Sequence, residues 1–175
     1  MASEGVHIEE PKDIIKDYYV LEFLGMSGLK RFSETNLEQK LIDNLQLFLL
    51  ELGKGFAFIG RQYPLTISNR HYHVDLVFYH RILKCFVLID LKKNNVRHQD
   101  IGQMNMYLGY FAKEENTEGD NAPIGIILSH NKDELLVEYA TYGMDSNLFV
   151  SKYELYLPNK EELRRLVNGI CDEVR

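Results

Sequence analysis

Two apolar segments separated by only four residues constrain the fold of this chain more than any other feature. Residues 72–79 and 84–91 are both rich in Val, Ile, Leu, Phe and Tyr, and His80, Arg81, Ile82 and Leu83 connect them. Segments of this composition joined by so short a connection are typical of two antiparallel β-strands. The sequence therefore predicts a β-hairpin over residues 72–91.

Helical and strand-like segments alternate around this hairpin. A capping-box pattern from Thr35 to Glu38 and apolar residues at helical spacing predict a helix over 35–52. The remaining patterns predict a strand over 56–59, a helix over 99–112, a strand over 123–128, a short helix over 133–139, a strand over 148–157 and a final helix from Asn159. This order predicts an α/β fold in which a mixed central β-sheet is flanked by helices.

The first 33 residues differ in pattern from the rest of the chain and are interpreted as an N-terminal arm or linker, with a domain over 34–175. Within this arm the stretch from Pro11 to Gly25 is rich in aromatic residues and predicts a short helix closed by the glycine. It is too small to fold alone. We therefore expect it to pack on this domain, on a second subunit or on an upstream domain.

Charge is distributed unevenly along the chain. Residues 61–99 contain seven Lys or Arg, four of the six histidines and only two acids, which gives a local charge of +5. The remainder carries 13 basic and 24 acidic residues, or −11, and the whole chain is −6. This net charge argues against non-specific duplex binding over the whole surface, whereas the segregation predicts that a polyanion is attracted to one face.

The two acids of the basic window, Asp75 and Asp90, lie in the two strands of the predicted hairpin. If Tyr79 pairs with Lys84, Asp75 is diagonal to Asp90, and a slip of two residues places the two acids directly opposite. In either register both carboxylates lie on one face and can share a divalent cation, with Lys92 beside them. Such a group can support attack on a phosphodiester. A plain ion pair with Lys92 on a solvated face is the alternative.

Gln103 and Tyr107 are four residues apart and share one face of the predicted helix, beside its apolar stripe. Glutamine can donate to phosphate or a base, and tyrosine can stack on a base, although the two can also be a packing pair. We expect both to border the cleft of Asp90. His73 is a candidate proton shuttle, third metal ligand or phosphate contact. Further candidates for contact with nucleic acid are Arg61, Lys93 and Arg97.

Residues 55–107 resemble the PD-(D/E)XK nuclease superfamily in its variant with a Q-x-x-x-Y helix, and residues 17–160 resemble the nuclease domain of the YhcG-like family of bacterial proteins. The resemblance rests on YVLEFLG (19–25), FLLELGKGFAF (48–58), VDLVFYHR (74–81) and GQMNMYL (102–108). It implies a restriction-endonuclease-like core and hydrolysis that depends on Mg²⁺ (or Mn²⁺). In this scheme Asp75 and Asp90 ligate the metal, and Lys92 orients water or stabilises the developing negative charge.

The resemblance also implies a metal-ligating glutamate from the first helix, for which Glu38 is the first choice. Glu51 is the alternative, although an acid at a helix C-terminus opposes the helix dipole. Two positions depart from the superfamily pattern. Val74 precedes the first acid where proline is usual, and Asp90 replaces the usual glutamate, which shortens that side chain by about 1.5 Å. Proteins of the family typically carry an upstream winged-helix-like region.

These observations predict a metal-dependent endonuclease with nucleic acid, and DNA in particular, as its substrate. The alternative is a nucleic-acid-binding or assembly module that keeps the nuclease fold with little turnover. The sequence leaves open DNA or RNA, and duplex, single-stranded or branched substrates. With two cysteines and no apolar run of about 18 residues, we expect a cytoplasmic protein without membrane contact. The aromatic segment 18–24 is a candidate contact in a homodimer.

Overall fold

The computed structural model describes residues 7–24 and 33–155, which form a mixed six-stranded sheet flanked by helices. The strands are β1 (Tyr18–Val20), β2 (Phe56–Ile67), β3 (Arg70–His80), β4 (Cys85–Asn95), β5 (Ile124–Asn131) and β6 (Asn147–Glu154). Their spatial order is β1-β6-β5-β4-β3-β2, parallel from β1 to β4 and antiparallel from β4 to β2. The predicted fold class is confirmed. The final helix predicted from Asn159 lies outside the described residues.

Helices cover both faces of the sheet and divide its core in two. They are α1 (Glu34–Asp43), α2 (Leu45–Leu52), α3 (His98–Tyr110) and α4 (Glu134–Ala140). On one face α1 and α2 bury Leu37, Leu41, Phe48 and Leu52 against the sheet, and on the other α3 buries Ile101, Met104 and Leu108. None of the helices within the described ranges is both long and apolar enough to cross a membrane.

The single helix predicted over 35–52 is interrupted, and it starts earlier than its sequence pattern indicates. Its N-cap is Ser33, whose hydroxyl accepts from the backbone N–H of Asn36 at 3.0 Å. Asn44 breaks it with φ −119° and ψ 35°, and its side-chain amide donates to the Lys40 carbonyl at 2.9 Å. Asparagine side chains compete for backbone groups in this way, which explains the interruption.

Strand β2 is far longer than the predicted segment 56–59. It continues to Ile67 and turns into β3 through Ser68 and Asn69, whose φ angles are 48° and 63°. Two consecutive positive φ angles are typical of the tight turns that join paired strands. Pro64 obscures the strand pattern, yet it is tolerated because β2 forms an edge of the sheet. The hairpin of β3 and β4 is therefore preceded by a second one.

The helix predicted from Pro11 to Gly25 is wrong. Short 3₁₀ turns at Pro11–Ile14 and Glu22–Leu24 flank β1, which pairs in parallel with β6. Tyr19 and Leu21 are fully buried in the core beneath α1 and α2. The spacing of the buried residues here thus reflects the alternation of a short strand and not the apolar stripe of a helix. Residues 7–24 pack on this domain, which was one of the three arrangements expected.

Gly125 in β5 allows α3 to lie close to the sheet. A Cβ atom at this position would lie 2.8 Å from both Cγ and Sδ of Met104. We predict that Gly125→Ala lowers the free energy of unfolding by about 1–3 kcal/mol, because overpacking must displace α3. Gly109→Ala, in α3 with open space around it, should instead raise this free energy by about 0.5–1 kcal/mol. Urea unfolding of the two variants checks this, and equal effects would contradict it.

Candidate active site

The register of β3 and β4 places Asp75 opposite Asp90. The paired positions run from His80 with Cys85 to Leu76 with Ile89, so the next step along both strands brings the two acids opposite each other. Asp90 Oδ1 accepts from the backbone N–H of Asp75 at 3.2 Å, and Asp75 Oδ2 accepts from the backbone N–H of Leu91 at 2.8 Å. This is the register with the slip of two residues, and each carboxylate is fixed to the other acid's strand.

Strand alternation is interrupted at Asp75. Val74 and Val77 both belong to the core beneath α3, whereas Leu76 between them belongs to the core beneath α1 and α2. Across from Asp75, Gln62 has a φ of 44°, and β2 pairs with β3 through Arg61 on one side of this position and through Tyr63 on the other. The two strands thus change faces together at this point. As a result the Asp75 side chain can interact with groups from both sides of the sheet.

Burial and mutual repulsion both act on the two carboxylates. Asp90 is only 6% exposed, and its burial, followed by the charge of Asp75, raises its pKa to about 7. Burial also raises the pKa of Asp75, with a further contribution from Glu38, whereas the bonds from Leu91 and Gln62 oppose this shift. Lys92 lowers the pKa of both acids. The doubly ionised pair is therefore a site of concentrated negative charge that a cation would stabilise.

Glu38 of α1 is linked to Asp75 through an amide. The Gln62 side-chain nitrogen donates to Glu38 Oε2 at 2.6 Å and to Asp75 Oδ1 at 3.2 Å. Glu38, which is 5% exposed, also accepts from Arg61 Nε at 3.1 Å. Arg61, a predicted nucleic-acid contact, thus forms an ion pair with Glu38. The structure brings Glu38 to the site as a neighbour of Asp75 that is linked to it through the Gln62 amide.

The alternative glutamate, Glu51, has a different environment. Its Oε1 accepts from the backbone N–H of Val20 at 3.0 Å and lies 3.4 Å from Lys16 Nζ. These contacts fasten α2 to β1 and the residues before it. The structure accordingly associates Glu38, and not Glu51, with Asp75.

Asp100 is a buried acid at the site that the sequence analysis did not identify. Its Oδ1 lies 3.5 Å from Lys92 Nζ, and its Oδ2 accepts from the backbone N–H of Arg97 at 2.8 Å, which caps α3. The Asp100 charge also raises the pKa of Asp90. The available signal was an acid three residues after Arg97 at a helix start, which is a common capping position. Lys92 is therefore held between the acid pair and the N-terminus of α3.

The sequence predicts Tyr107 beside the apolar stripe of α3, but in the structure this residue lies within the stripe. It is 2% exposed, and its ring packs against Tyr72 of β3 with centroids 6.0 Å apart. The expectation failed because β3 extends over this part of α3 and covers the ring. Burial and the charges of Asp90 and Asp75 raise the Tyr107 pKa, which places the phenol in their electrostatic surroundings. It forms a wall of the site and is not exposed for base stacking.

The other predicted contacts lie on or next to the elements that carry these acids, β3, β4 and α3. Gln103 is half-buried, one turn before Tyr107 on α3. Lys93 is also half-buried, and its backbone N–H donates to Glu34 of α1 at 3.1 Å. His73 and Arg97 are exposed. These positions give a site with buried acids and a more accessible polar margin.

Comparison with known proteins identifies the family. A model of the YhcG PDDEXK nuclease domain matches residues 12–168. The chain belongs to this family. The Escherichia coli (strain K12) protein named "Putative nuclease YhcG" is 40% identical over 153 residues, which cover 87% of this chain and 40% of that protein. This chain thus spans less than half the length of that relative, and the resemblance inferred from the sequence is confirmed.

Two solved structures are also similar to this YhcG-family domain. A crystal structure of a repair endonuclease from Pyrococcus abyssi has a TM-score of 0.48 and 19% identity, and the match covers 74% of this chain and 50% of that one. A structure of an EndoMS complex with dsDNA has a TM-score of 0.48 and 14% identity, with 75% and 50% covered.

The acid pair of this YhcG-family domain fits a hard divalent cation. Within residues 7–24 and 33–155 no three His, Cys, Asp or Glu side chains form a ready metal-binding group. Mg²⁺ nevertheless commonly uses one or two carboxylates and completes its coordination with water. Asp75 and Asp90 supply such oxygen donors, and their mutual repulsion favours occupancy by a cation. These two acids, with Glu38 held next to Asp75, are the residues that could hold the metal.

We predict that the metal-free domain loses stability as pH rises from about 4 to about 7. The folded-state pKa of Asp90, about 7, exceeds its ordinary value of 3.8, so the folded state retains a proton that the unfolded state releases. Asp90→Asn should flatten this dependence and raise the free energy of unfolding above pH 7 by roughly 1–4 kcal/mol. Asp145→Asn, at an exposed acid, is the control. Urea unfolding in EDTA across this pH range measures both, and unchanged pH dependence in Asp90→Asn would contradict the prediction.

Proposed function

We propose that this domain is a metal-dependent endonuclease that hydrolyses phosphodiester bonds, with DNA as its substrate. The observation that carries the proposal is the fixed geometry of Asp75 and Asp90, each bonded to the other's strand, with Lys92 in their electrostatic field. Membership of a nuclease-domain family supports the same chemistry. The local charge of +5 over residues 61–99 favours a polyanionic substrate.

In this proposal Asp75 and Asp90 hold one Mg²⁺ or Mn²⁺ ion. When bound, the ion supplies Lewis-acid polarisation and offsets the negative charge of the phosphate. Lys92 donates from its ammonium group toward the phosphate oxygens or the attacking water, and so stabilises the charge that develops in the transition state. Asp100 holds this ammonium by its ion pair at 3.5 Å. Because α3 is packed in the core, that ion pair fixes the position of the Lys92 ammonium group.

Gln62 and Glu38 keep Asp75 in the orientation that the metal requires. The Gln62 amide joins the two carboxylates, so a rotation of the Asp75 side chain would break a hydrogen bond. Carboxylates that ligate metals are commonly fixed by such outer hydrogen bonds. Arg61 offsets the charge of Glu38, which reduces repulsion between the two acids. We assign direct metal ligation to Asp75 and Asp90, and to Glu38 a supporting position beside them.

The substrate contacts that we propose lie at the accessible margin of the site. Gln103, half-buried one turn before Tyr107 on α3, is the candidate donor to a phosphate or a base. Lys93, Arg97 and His73 are the accompanying candidates for phosphate contact. A homodimer, an upstream winged-helix-like domain and a cytoplasmic location stay predictions from the sequence.

A second candidate is a nucleic-acid-binding module with little turnover. It is favoured by the engagement of Lys92 with Asp100 and of Glu38 with Arg61, since these ion pairs occupy groups that catalysis would use. Labelled single-stranded, duplex and branched DNA, and RNA, incubated with Mg²⁺, Mn²⁺ or EDTA, distinguish the two. Metal-dependent cleavage supports the nuclease, whereas binding without cleavage of any substrate supports the module.

We predict separable effects for Asp75→Asn and Lys92→Ala. The first removes a metal-binding charge, so it should abolish cleavage and weaken the rise in melting temperature on addition of Mn²⁺. The second should retain this rise and reduce the cleavage rate on the order of 10²–10³-fold, because it removes one transition-state interaction. Lys113→Ala, at an exposed lysine outside the site, is the matched control. Cleavage by both site variants at the wild-type rate would mean that the assignment is wrong.

We also predict that Asp100 acts through Lys92. Asp100→Asn keeps an oxygen that can accept from Arg97 but loses the ion pair, so cleavage should slow about tenfold or more with a similar melting temperature. Asp100→Ala should also lose the helix cap, at a cost of about 1 kcal/mol. In a Lys92→Ala background, Asp100→Asn should have no further effect on the rate. Additive losses in the double variant would contradict this coupling.

A further inference from the structure

The strands β2 and β3 continue to pair with each other well beyond the point where β3 stops pairing with β4. Pairing of β3 with β4 ends at Leu76, whereas pairing of β2 with β3 continues to Ile67 with Arg70. Residues 62–75 therefore form a two-stranded segment, which we call the ribbon. It begins at Asp75 and Gln62, so its base lies at the acid pair. The ribbon thus extends outward directly from the proposed cleavage site.

The inner face of the ribbon is packed against α3 and the turn after it. The ring of Tyr63 lies 5.4 Å from that of Phe111, and Tyr72 contacts Tyr107. Leu65 and Val74 are buried in the same core. These contacts hold the ribbon against the domain, so its outer face has a defined position relative to Asp75. A surface held in this way loses little conformational entropy when a ligand binds.

The outer face and the tip of the ribbon are polar and exposed. Pro64, Thr66, His71 and His73 lie on the outer face, and Arg70 is exposed at the tip. Thr66 Oγ1 and His71 Nδ1 are 2.9 Å apart. If the hydroxyl donates to Nδ1, the proton of the neutral imidazole is on Nε2, which can then donate to an anion.

Beyond Asp75 at its base, the ribbon is also free of acids, in a chain with an excess of them. Residues 61–74 contain two arginines and two histidines and neither Asp nor Glu, although the chain carries a net charge of −6. Arg61 is paired with Glu38 at the base, so Arg70 supplies the permanent positive charge at the far end. Along a strand, the five residues from Asp75 to Arg70 span about 17 Å. That length corresponds to about five base pairs of duplex at 3.4 Å each.

We propose that the outer face and tip of the ribbon bind the sugar–phosphate backbone of the substrate next to the cleavage site. This inference rests on the proposed function, and it names Arg70, His71 and His73 as the binding residues. Phosphate contacts of this kind position a nucleic acid without reading its sequence. The ribbon would thus orient the strand that enters the acid pair, whereas the acids and Lys92 act on the bond that is cleaved.

The test measures binding of the whole chain to fluorescent duplex and single-stranded DNA in EDTA, by anisotropy over a range of salt concentrations. Arg70→Gln and the double variant Arg70→Gln/His73→Gln are compared with Arg81→Gln. Arg81 is also exposed and directly follows the opposite end of β3, away from the ribbon. Removal of the same charge at the two ends of one strand separates a local contact from a general effect of net charge.

We expect Arg70→Gln to weaken binding about three- to tenfold and to reduce the slope of log affinity against log salt by about 1, as for the loss of one phosphate contact. The double variant should bind more weakly still, and the corresponding loss in cleavage assays should appear mainly in KM. Arg81→Gln should bind within about twofold of the wild type. A larger loss with duplex than with single strands would identify the duplex backbone as the ligand.

Equal effects of Arg70→Gln and Arg81→Gln, or binding by the double variant at the wild-type level, would overturn the proposal. If the wild type cleaves DNA in either of these cases, the ribbon assignment fails and the proposed function stands. If the wild type binds through Arg70 yet cleaves nothing, the ribbon stands and the nuclease proposal fails. A wild type that neither binds nor cleaves nucleic acid would overturn both.

Discussion

The hydrogen bonds that fix the carboxylates of Asp75 and Asp90 across β3 and β4 determine the geometry of the whole site. At this point β3 and β4 stop pairing, and the two carboxylates accept from the backbone N–H groups of Asp75 and Leu91. Buried backbone donors need a partner, so the acids complete the hydrogen bonding of the sheet where its own pairing ends. The end of the β3–β4 pairing and the position of the acid pair are therefore one structural feature. Gln62 and Lys92 are then positioned by the strands on either side of it.

Those parts of the fold and site that depend on local pattern could be predicted from the sequence. The apolar segments around residues 80–84 specify the β3–β4 hairpin, and a slip of one residue would have placed Asp75 and Asp90 on opposite faces. That parity limited Asp75 and Asp90 to registers with both acids on one face. The buried stripe of α3 follows from its spacing in the same way. In these cases the residues that determine the structure are close together in sequence.

Those parts that depend on contacts distant in sequence could not be predicted. Tyr107 is covered because the ribbon extends across α3, and the length of the ribbon was hidden by Pro64. Residues 18–20 are a strand because β6, more than 120 residues later, offers an edge for parallel pairing. Asp100 was visible only as a helix-capping acid, since its ion pair with Lys92 requires knowledge of where α3 lies against β4. Each error reflects a tertiary contact that overrides or completes a local pattern.

The pairing of charges explains why a cation would be attracted to one place among four neighbouring acids. Glu38 has Arg61 at 3.0 Å, and Asp100 has Lys92 at 3.5 Å, so each of these outer acids has its own cationic partner. Burial raises the pKa of both central acids, and their charges repel each other. Lys92 offsets only part of that repulsion, and the remainder reduces the stability of the folded, metal-free domain at neutral pH. A divalent ion between the central acids would remove the repulsion without disturbing the outer ion pairs. The repulsion that lowers the stability of the metal-free domain thus also favours binding of the ion by Asp75 and Asp90.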